Sequence, residues 1–153
     1  MLFLPVTAGF VPLWAWLIPL GILVPETVRD IKDKTIYLSP VILGSIAGLV
    51  VNLVLGNDIA KILAGCIPGA FLFLVSVITG DCIGRGDGEV TAMIGLTIGL
   101  TETIWVLFIA LMAAMFVCLI LLLAKKAGRK SRIPFVPFLL FGTILRAGMV
   151  ILC

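Results

Sequence analysis

The sequence is divided into long stretches without any charged residue, and these stretches limit what the chain can fold into. A helix needs about 20 apolar residues to cross a bilayer, and a chain in lipid must satisfy its backbone hydrogen bonds within helices or closed barrels. Only 12% of the residues are charged, against roughly 25% in a soluble domain. The sequence therefore predicts an all-α polytopic membrane protein, a bundle of six transmembrane helices with charge-free stretches at 1–25, 35–57, 62–80, 90–101, 103–124 and 133–153, the last interrupted by Arg146.

Six spans use about 120 residues, so little chain is left for connections. We therefore predict one membrane-embedded domain over residues 1–153 with no separate soluble domain. The chain has no histidine, which excludes Ser-His-Asp and Cys-His catalysis and imidazole metal sites. Its four cysteines form no CxxC pair, so zinc ribbons are excluded as well. We therefore predict no cofactor and no metal. We also predict no nucleic-acid partner, because a net charge of +3 does not indicate nucleic-acid binding.

The positive charges predict how the spans are oriented. With six spans, nine of the eleven lysines and arginines fall in connections one, three and five, whereas Lys61 is alone in connections two and four. The positive-inside rule then places both termini outside and the odd-numbered connections in the cytoplasm. The fourth stretch is short, so its helix must begin near Asp87 to cross the membrane. We expect a multi-pass protein of the plasma membrane.

Two of the eight acidic residues differ from ordinary helix-end carboxylates. An acid at a helix end usually caps the helix or faces water. Asp30 and Asp87, however, both lie at the predicted cytoplasmic ends of apolar helices from different parts of the chain. Two carboxylates that converge in a partly desolvated site cannot both ionise easily, so one keeps a proton. Such a pair can activate water and protonate a carbonyl, which is the chemistry of an aspartic protease.

The local sequences carry a family resemblance. Asp30 precedes Ile36 by six residues at the start of the second span, and Gly84-Arg85-Gly86-Asp87 forms a GxGD motif. Both segments resemble the type IV prepilin peptidases, GxGD membrane aspartyl proteases that also include the preflagellin peptidases. The resemblance implies that Asp30 and Asp87 are catalytic, with Gly84 and Gly86 in the motif loop. It also implies removal of a short basic leader from a prepilin-like, preflagellin-like or pseudopilin-like membrane substrate at the cytoplasmic face.

Some features depart from the family pattern or stay open. Glu89 stands where the family commonly has a lysine, Tyr37-Leu38 replaces a usual Pro-Asn pair, and no CxxC-bearing insertion is present. The chain therefore resembles the minimal peptidase of preflagellin and tight-adherence pilus systems, without methyltransferase activity. Asp33 is an alternative to Asp30. A non-catalytic membrane subunit, either an assembly partner or a transporter component, is the alternative function.

Two further predictions concern charges away from the proposed pair. Arg146 lies within the last apolar stretch, so it should either extend to the outer surface or pair with an acid such as Glu102. The basic segment from Lys125 to Arg132 should act as a cytoplasmic anchor on anionic lipid.

Overall fold

A computed structural model describes residues 12–33, 36–78, 84–124 and 134–152 of the chain. All regular secondary structure within these ranges is helical, which confirms the all-α prediction. A short 3-10 helix, Leu13–Trp16, precedes seven α-helices: α1 (Leu17–Asp33), α2 (Leu38–Val54), α3 (Ile59–Ala64), α4 (Ile67–Ile78), α5 (Arg85–Ile98), α6 (Leu100–Leu123) and α7 (Val136–Leu152).

Two helical stretches are long and apolar enough to cross a membrane. One is α6, with 24 residues, and the other is the 20-residue stretch Ile59–Ile78, in which only Gly65 and Cys66 separate α3 from α4. The helices α2 and α7 are apolar but shorter. Taking α3 and α4 together, the helices follow the six charge-free stretches of the sequence one by one. Six membrane crossings remain a prediction.

Helix α5 lies at the centre of the bundle, where it contacts every other described helix. Most of its side chains are buried, and small residues bring its backbone against α4. Gly95 meets Gly65, Gly69 meets Ala92, and Gly88 meets Phe73. Small residues are common where helices pack closely in membranes, because they let two backbones approach. The start of α5, which carries Asp87, is thereby held against α4.

A sharp break separates α5 from α6 at Gly99. This residue has a φ of +83°, which glycine adopts without the steric cost that other residues meet. The predicted fourth stretch ends at Thr101, before Glu102, and this boundary was wrong because Gly99 ends the helix at Ile98. Glu102 lies instead in the first turn of α6 and is buried. The expectation that the fourth helix begins near Asp87 is confirmed, since α5 starts at Arg85.

The Asn52 side chain connects α2 to the last turn of α5. Its Nδ2 donates to the carbonyl oxygens of Leu96 and Thr97 at 2.9 Å and 3.2 Å, and to Gly48 of its own helix at 2.9 Å. The last carbonyls of a helix have no partner within that helix. Asn52 therefore satisfies carbonyl groups that the break at Gly99 leaves without helical donors.

An ion pair connects α6 and α7. Arg146 donates through Nε to Glu102 Oε2 at 2.6 Å and through a second nitrogen to Oε1 at 3.0 Å. Its guanidinium also lies over the Trp105 ring, 5.8 Å from the centroid. Of the two alternatives for Arg146, pairing with Glu102 is the one that the structure contains. A two-point pair of this kind fixes the register of the two helices.

Candidate active site

Helix α1 presents a buried stripe that ends at Asp30. Leu23, Glu26, Thr27 and Asp30 are all buried, and their separations of three, four and seven residues place them on one helical face. The helix does not end at Pro25 but runs on through the charged segment to Asp33. Asp30 therefore projects from a rigid helix into the bundle and not from a loop.

The Asp30 carboxylate meets the beginning of α7. It is 6% exposed, and its Oδ2 accepts a hydrogen bond from the backbone N–H of Val136 at 3.1 Å. The backbone of Phe135 acts on the same carboxylate. The first N–H groups of a helix have no partner within that helix and favour an anion. Asp30 thus occupies the N-terminus of α7.

Asp87 is the third residue of α5 and is also 6% exposed. Its backbone N–H donates to the Gly84 carbonyl at 3.1 Å, so the GxGD segment forms the first turn of the helix. The side chain folds back over Gly84, since a Cβ built there would lie 3.1 Å from Asp87 Oδ2. Both aspartates are therefore held at helix ends, one by α1 and one by α5.

The two carboxylates act on each other electrostatically. Both lie outside the charge-free stretches 1–25 and 90–101. Burial raises the pKa of Asp87 to about 7, and the charge of Asp30 adds to this rise. Burial also raises the pKa of Asp30, but the N–H groups of Val136 and Phe135 act in the opposite direction. The arrangement thus favours an ionised Asp30 beside a protonated Asp87.

Gly86 allows the Ile36 side chain to pack directly against the GxGD turn. A Cβ on Gly86 would lie 2.6 Å from the Ile36 Cδ1 atom, far closer than carbon atoms normally approach. Ile36 is the residue six positions after Asp30, so the two segments singled out in the sequence pack directly against each other. Gly88, which the sequence analysis did not single out, packs on the backbone of α4. Glycine at every second position from 84 to 88 is the sequence feature that could have indicated this close packing.

Sequence reasoning also missed Glu26, which it grouped with ordinary helix-end acids. Its side chain is fully buried, with 0% exposed. Oε1 accepts a hydrogen bond from Arg29 at 3.0 Å, and Oε2 accepts one from the backbone N–H of Tyr37 at 3.1 Å. The Arg29 guanidinium lies 4.9 Å from the centroid of the Tyr37 ring. The sequence feature that could have indicated a role for Glu26 is its position four residues before Asp30, because this spacing places both carboxylates on one helical face.

Thr27 completes the polar part of this stripe. Its Oγ1 is buried and has no hydrogen-bond partner in the protein. Most buried hydroxyl groups have a partner, so one without it requires an explanation. The residue lies one helical turn before Asp30, so this hydroxyl without a partner belongs to the same buried face as the Asp30 carboxylate.

Several predicted residues contribute less to this geometry. Asp33 is the last residue of α1, and its side chain lies outside the described residues, as does the segment from Lys125 to Arg132. Glu89 is half-buried, and burial raises the pKa of its carboxyl. Within the described part of the chain, no three cysteine, aspartate or glutamate residues are arranged to hold a metal ion.

Comparison with known proteins agrees with these observations. The model of the type IV leader peptidase family matches residues 16–123, a range that includes both aspartates and the GxGD motif. No curated protein and no solved structure matched the chain. With the two long apolar helices, the family match indicates a membrane protein. Because the match spans more than half of the 153 residues, the chain belongs to the type IV leader peptidase family and is a protease.

Proposed function

We propose that the protein is a membrane aspartyl endopeptidase that removes the short basic leader of prepilin-like, preflagellin-like or pseudopilin-like substrates. Asp30 and Asp87 are its catalytic pair. The observation that carries the proposal is that two buried carboxylates, from helices far apart in sequence, come close enough for one charge to raise the pKa of the other. Pairs of carboxyl groups with separated proton affinities are typical of acid-base catalysis.

The environments of the two residues divide the catalytic work between them. Asp30, stabilised as an anion by the N–H groups at the start of α7, accepts a proton from a water molecule. That water attacks the peptide carbonyl while Asp87 donates its proton to the carbonyl oxygen. The tetrahedral intermediate then collapses as the C–N bond breaks, and the proton held by Asp30 passes to the leaving nitrogen. In the same step one hydroxyl of the intermediate returns its proton to Asp87 as the new carboxyl group forms, so Asp30 is again ionised and Asp87 again protonated.

The reaction takes place at the cytoplasmic face of a six-span bundle. Support for this placement comes from the split of positive charge between connections, which follows the positive-inside rule. Helices α4 and α6 carry many exposed apolar side chains, such as Phe71 and Phe116, which suit contact with lipid. A substrate helix in the bilayer beside the bundle would hold its leader at the depth of Asp30 and Asp87.

The test is leader cleavage by purified enzyme in detergent, with a prepilin-like substrate of basic leader and apolar helix. Asp30→Asn and Asp87→Asn should each reduce kcat by about 10³-fold or more, because neither carboxyl alone can serve as base and acid. Asp33→Asn should keep most of the activity. The matched control is Asp58→Asn, an exposed acid that pairs with Lys61.

Normal cleavage by either Asp30→Asn or Asp87→Asn would refute the catalytic pair. A folded wild-type protein that cleaves none of the three substrate classes would instead favour the non-catalytic membrane subunit.

A further inference from the structure

We propose, on the basis of the aspartyl mechanism above, that Glu26 is a positioning residue that fixes the start of α2 beside Asp87 and controls the charge beside Asp30. Glu26 does not touch the reacting atoms in this proposal. It acts through two contacts, one made by each of its carboxylate oxygens.

The first argument is the complete burial of a charged side chain. Glu26 is 0% exposed, whereas its partner Arg29 is 46% exposed. Burying a carboxylate is costly unless hydrogen bonds and an opposite charge compensate for it. An acid at a helix end that served only solubility would face water. The burial of Glu26 therefore indicates that its contacts within the bundle are its function.

The second argument is a continuous line of contacts from Glu26 to Asp87. Oε2 of Glu26 holds the backbone N–H of Tyr37, the residue before α2, whose own side chain makes no cap hydrogen bond. The preceding residue, Ile36, packs against Gly86, and Gly86 immediately precedes Asp87. The carboxylate on α1 therefore restrains the segment on which the GxGD turn rests.

The third argument is charge. Glu26 lies one helical turn before Asp30, and its negative charge raises the pKa of Asp30. The other charged side chains described on α1 and on the helices packed against it are Arg29 and Lys32 on α1, Arg85, Asp87 and Glu89 on α5, and Arg146 on α7, which pairs with Glu102. Helix α2 has no charged residue, and the titratable Tyr37 precedes it. Glu26 forms its ion pair with Arg29, so a change at Glu26 alters the charge of this pair one helical turn before Asp30.

Two substitutions separate these effects. Glu26→Gln keeps an oxygen acceptor for the Tyr37 N–H but removes the negative charge and frees that of Arg29. Both changes lower the pKa of Asp30, so the acid limb of the kcat–pH profile should move to lower pH by about half a unit or more, with most of kcat retained. Glu26→Asp keeps the charge but shortens the side chain by one methylene. It should reduce kcat by about 10- to 100-fold and leave the acid limb in place.

The matched control is again Asp58→Asn. Asp58 pairs with Lys61 at the same three-residue spacing as Glu26 and Arg29, at 3.2 Å, but on the exposed surface. It should move neither kcat nor the pH profile. All variants are measured per folded protein, which a thermal melt in detergent quantifies. A purely structural role would reduce the folded fraction without moving the acid limb.

An unmoved acid limb in Glu26→Gln, or an unchanged kcat in Glu26→Asp, overturns the proposal. Its failure can be told apart from failure of the proposed function. If Asp30→Asn and Asp87→Asn abolish cleavage while both Glu26 variants behave as the wild type, only the positioning role is refuted. If the Asn variants cleave normally, the catalytic pair itself is refuted.

Discussion

Gly88→Ala should damage catalysis by pushing the start of α5 away from α4. A Cβ at this position would lie 2.7 Å from the backbone nitrogen of Phe73 and 2.9 Å from the carbonyl oxygen of Gly69. Nonbonded atoms of this kind prefer about 3.5 Å or more, so the helices would have to separate locally by roughly 0.8 Å. The obstructing atoms belong to the backbone of α4, so no side-chain rotation relieves the contact.

The displacement falls on the residue next to Asp87. Overpacking of this kind costs about 1–3 kcal/mol of stability. A misplacement of about 1 Å in a catalytic group can reduce the rate by about 10²-fold, and we expect a loss of that order in kcat for Gly88→Ala. Gly86→Ala should have a smaller effect, because its nearest neighbour is the flexible end of the Ile36 side chain. The assay is leader cleavage per folded protein, with a thermal melt of the same sample.

Gly21→Ala is the matched control. Gly21 lies within α1, and a Cβ there would meet nothing within 4 Å. The substitution should keep full activity and stabilise the helix by about 0.5–1 kcal/mol. If Gly88→Ala were as active as Gly21→Ala, the argument that close packing of α4 and α5 positions Asp87 would be refuted.

Three more outcomes follow from the described contacts. The folded-state pKa of Asp87 is raised from 3.8 to about 7 because burial favours the protonated carboxyl. The contribution of this carboxyl to the free energy of unfolding is therefore fully present below pH 4, and it is lost as the pH rises through 7. Asp87→Asn should therefore raise the free energy of unfolding by on the order of 4 kcal/mol at pH 8 and little at pH 4, which thermal melts at the two pH values would measure. Glu102→Gln should cost about 3 kcal/mol by breaking the pair with Arg146, without changing the kcat–pH profile. Val136→Pro removes the N–H that binds Asp30 at a helix start that tolerates proline, so it should move the acid limb of that profile to higher pH.

The sequence alone predicted a helical chain and singled out the two aspartates, whose catalytic role stays a prediction. Charge-free runs are local features, and they identify helices without knowledge of their neighbours. The expected start of α5 near Asp87 came from length, because a helix starting at Val90 would be too short to cross a bilayer. The helix does begin there, at Arg85, but it ends at Ile98 and has 14 residues. Asp30 and Asp87 were singled out by their positions at helix ends and by the GxGD motif, and the structure brings both into one buried region.

The parts that sequence reasoning missed depend on partners distant in the chain. Glu102 looked like a boundary because it is charged, but a charge can be buried when Arg146, 44 residues later, neutralises it. Glu26 looked like a surface acid, but its second partner is the backbone N–H of Tyr37. Every residue except proline has such a group, so the residue type at position 37 gives no sign of the contact.

The same reasoning applies to the last helix, which contacts the site through a main-chain group. The family match ends at residue 123, yet α7 supplies the hydrogen bond from Val136 to Asp30, 106 residues away in sequence. The donor is a main-chain N–H at a helix N-terminus, and its strength depends on the geometry of the helix and not on the side chain. α7 can therefore favour the ionised form of Asp30 with any residue except proline at position 136, provided that the helix begins at the same place. For Asp87, burial and the charge of Asp30 raise the pKa, and only the backbone of Gly84 acts in the opposite direction. The two chemically identical carboxyl groups therefore acquire different proton affinities from their burial, from each other and from the helix ends that surround them.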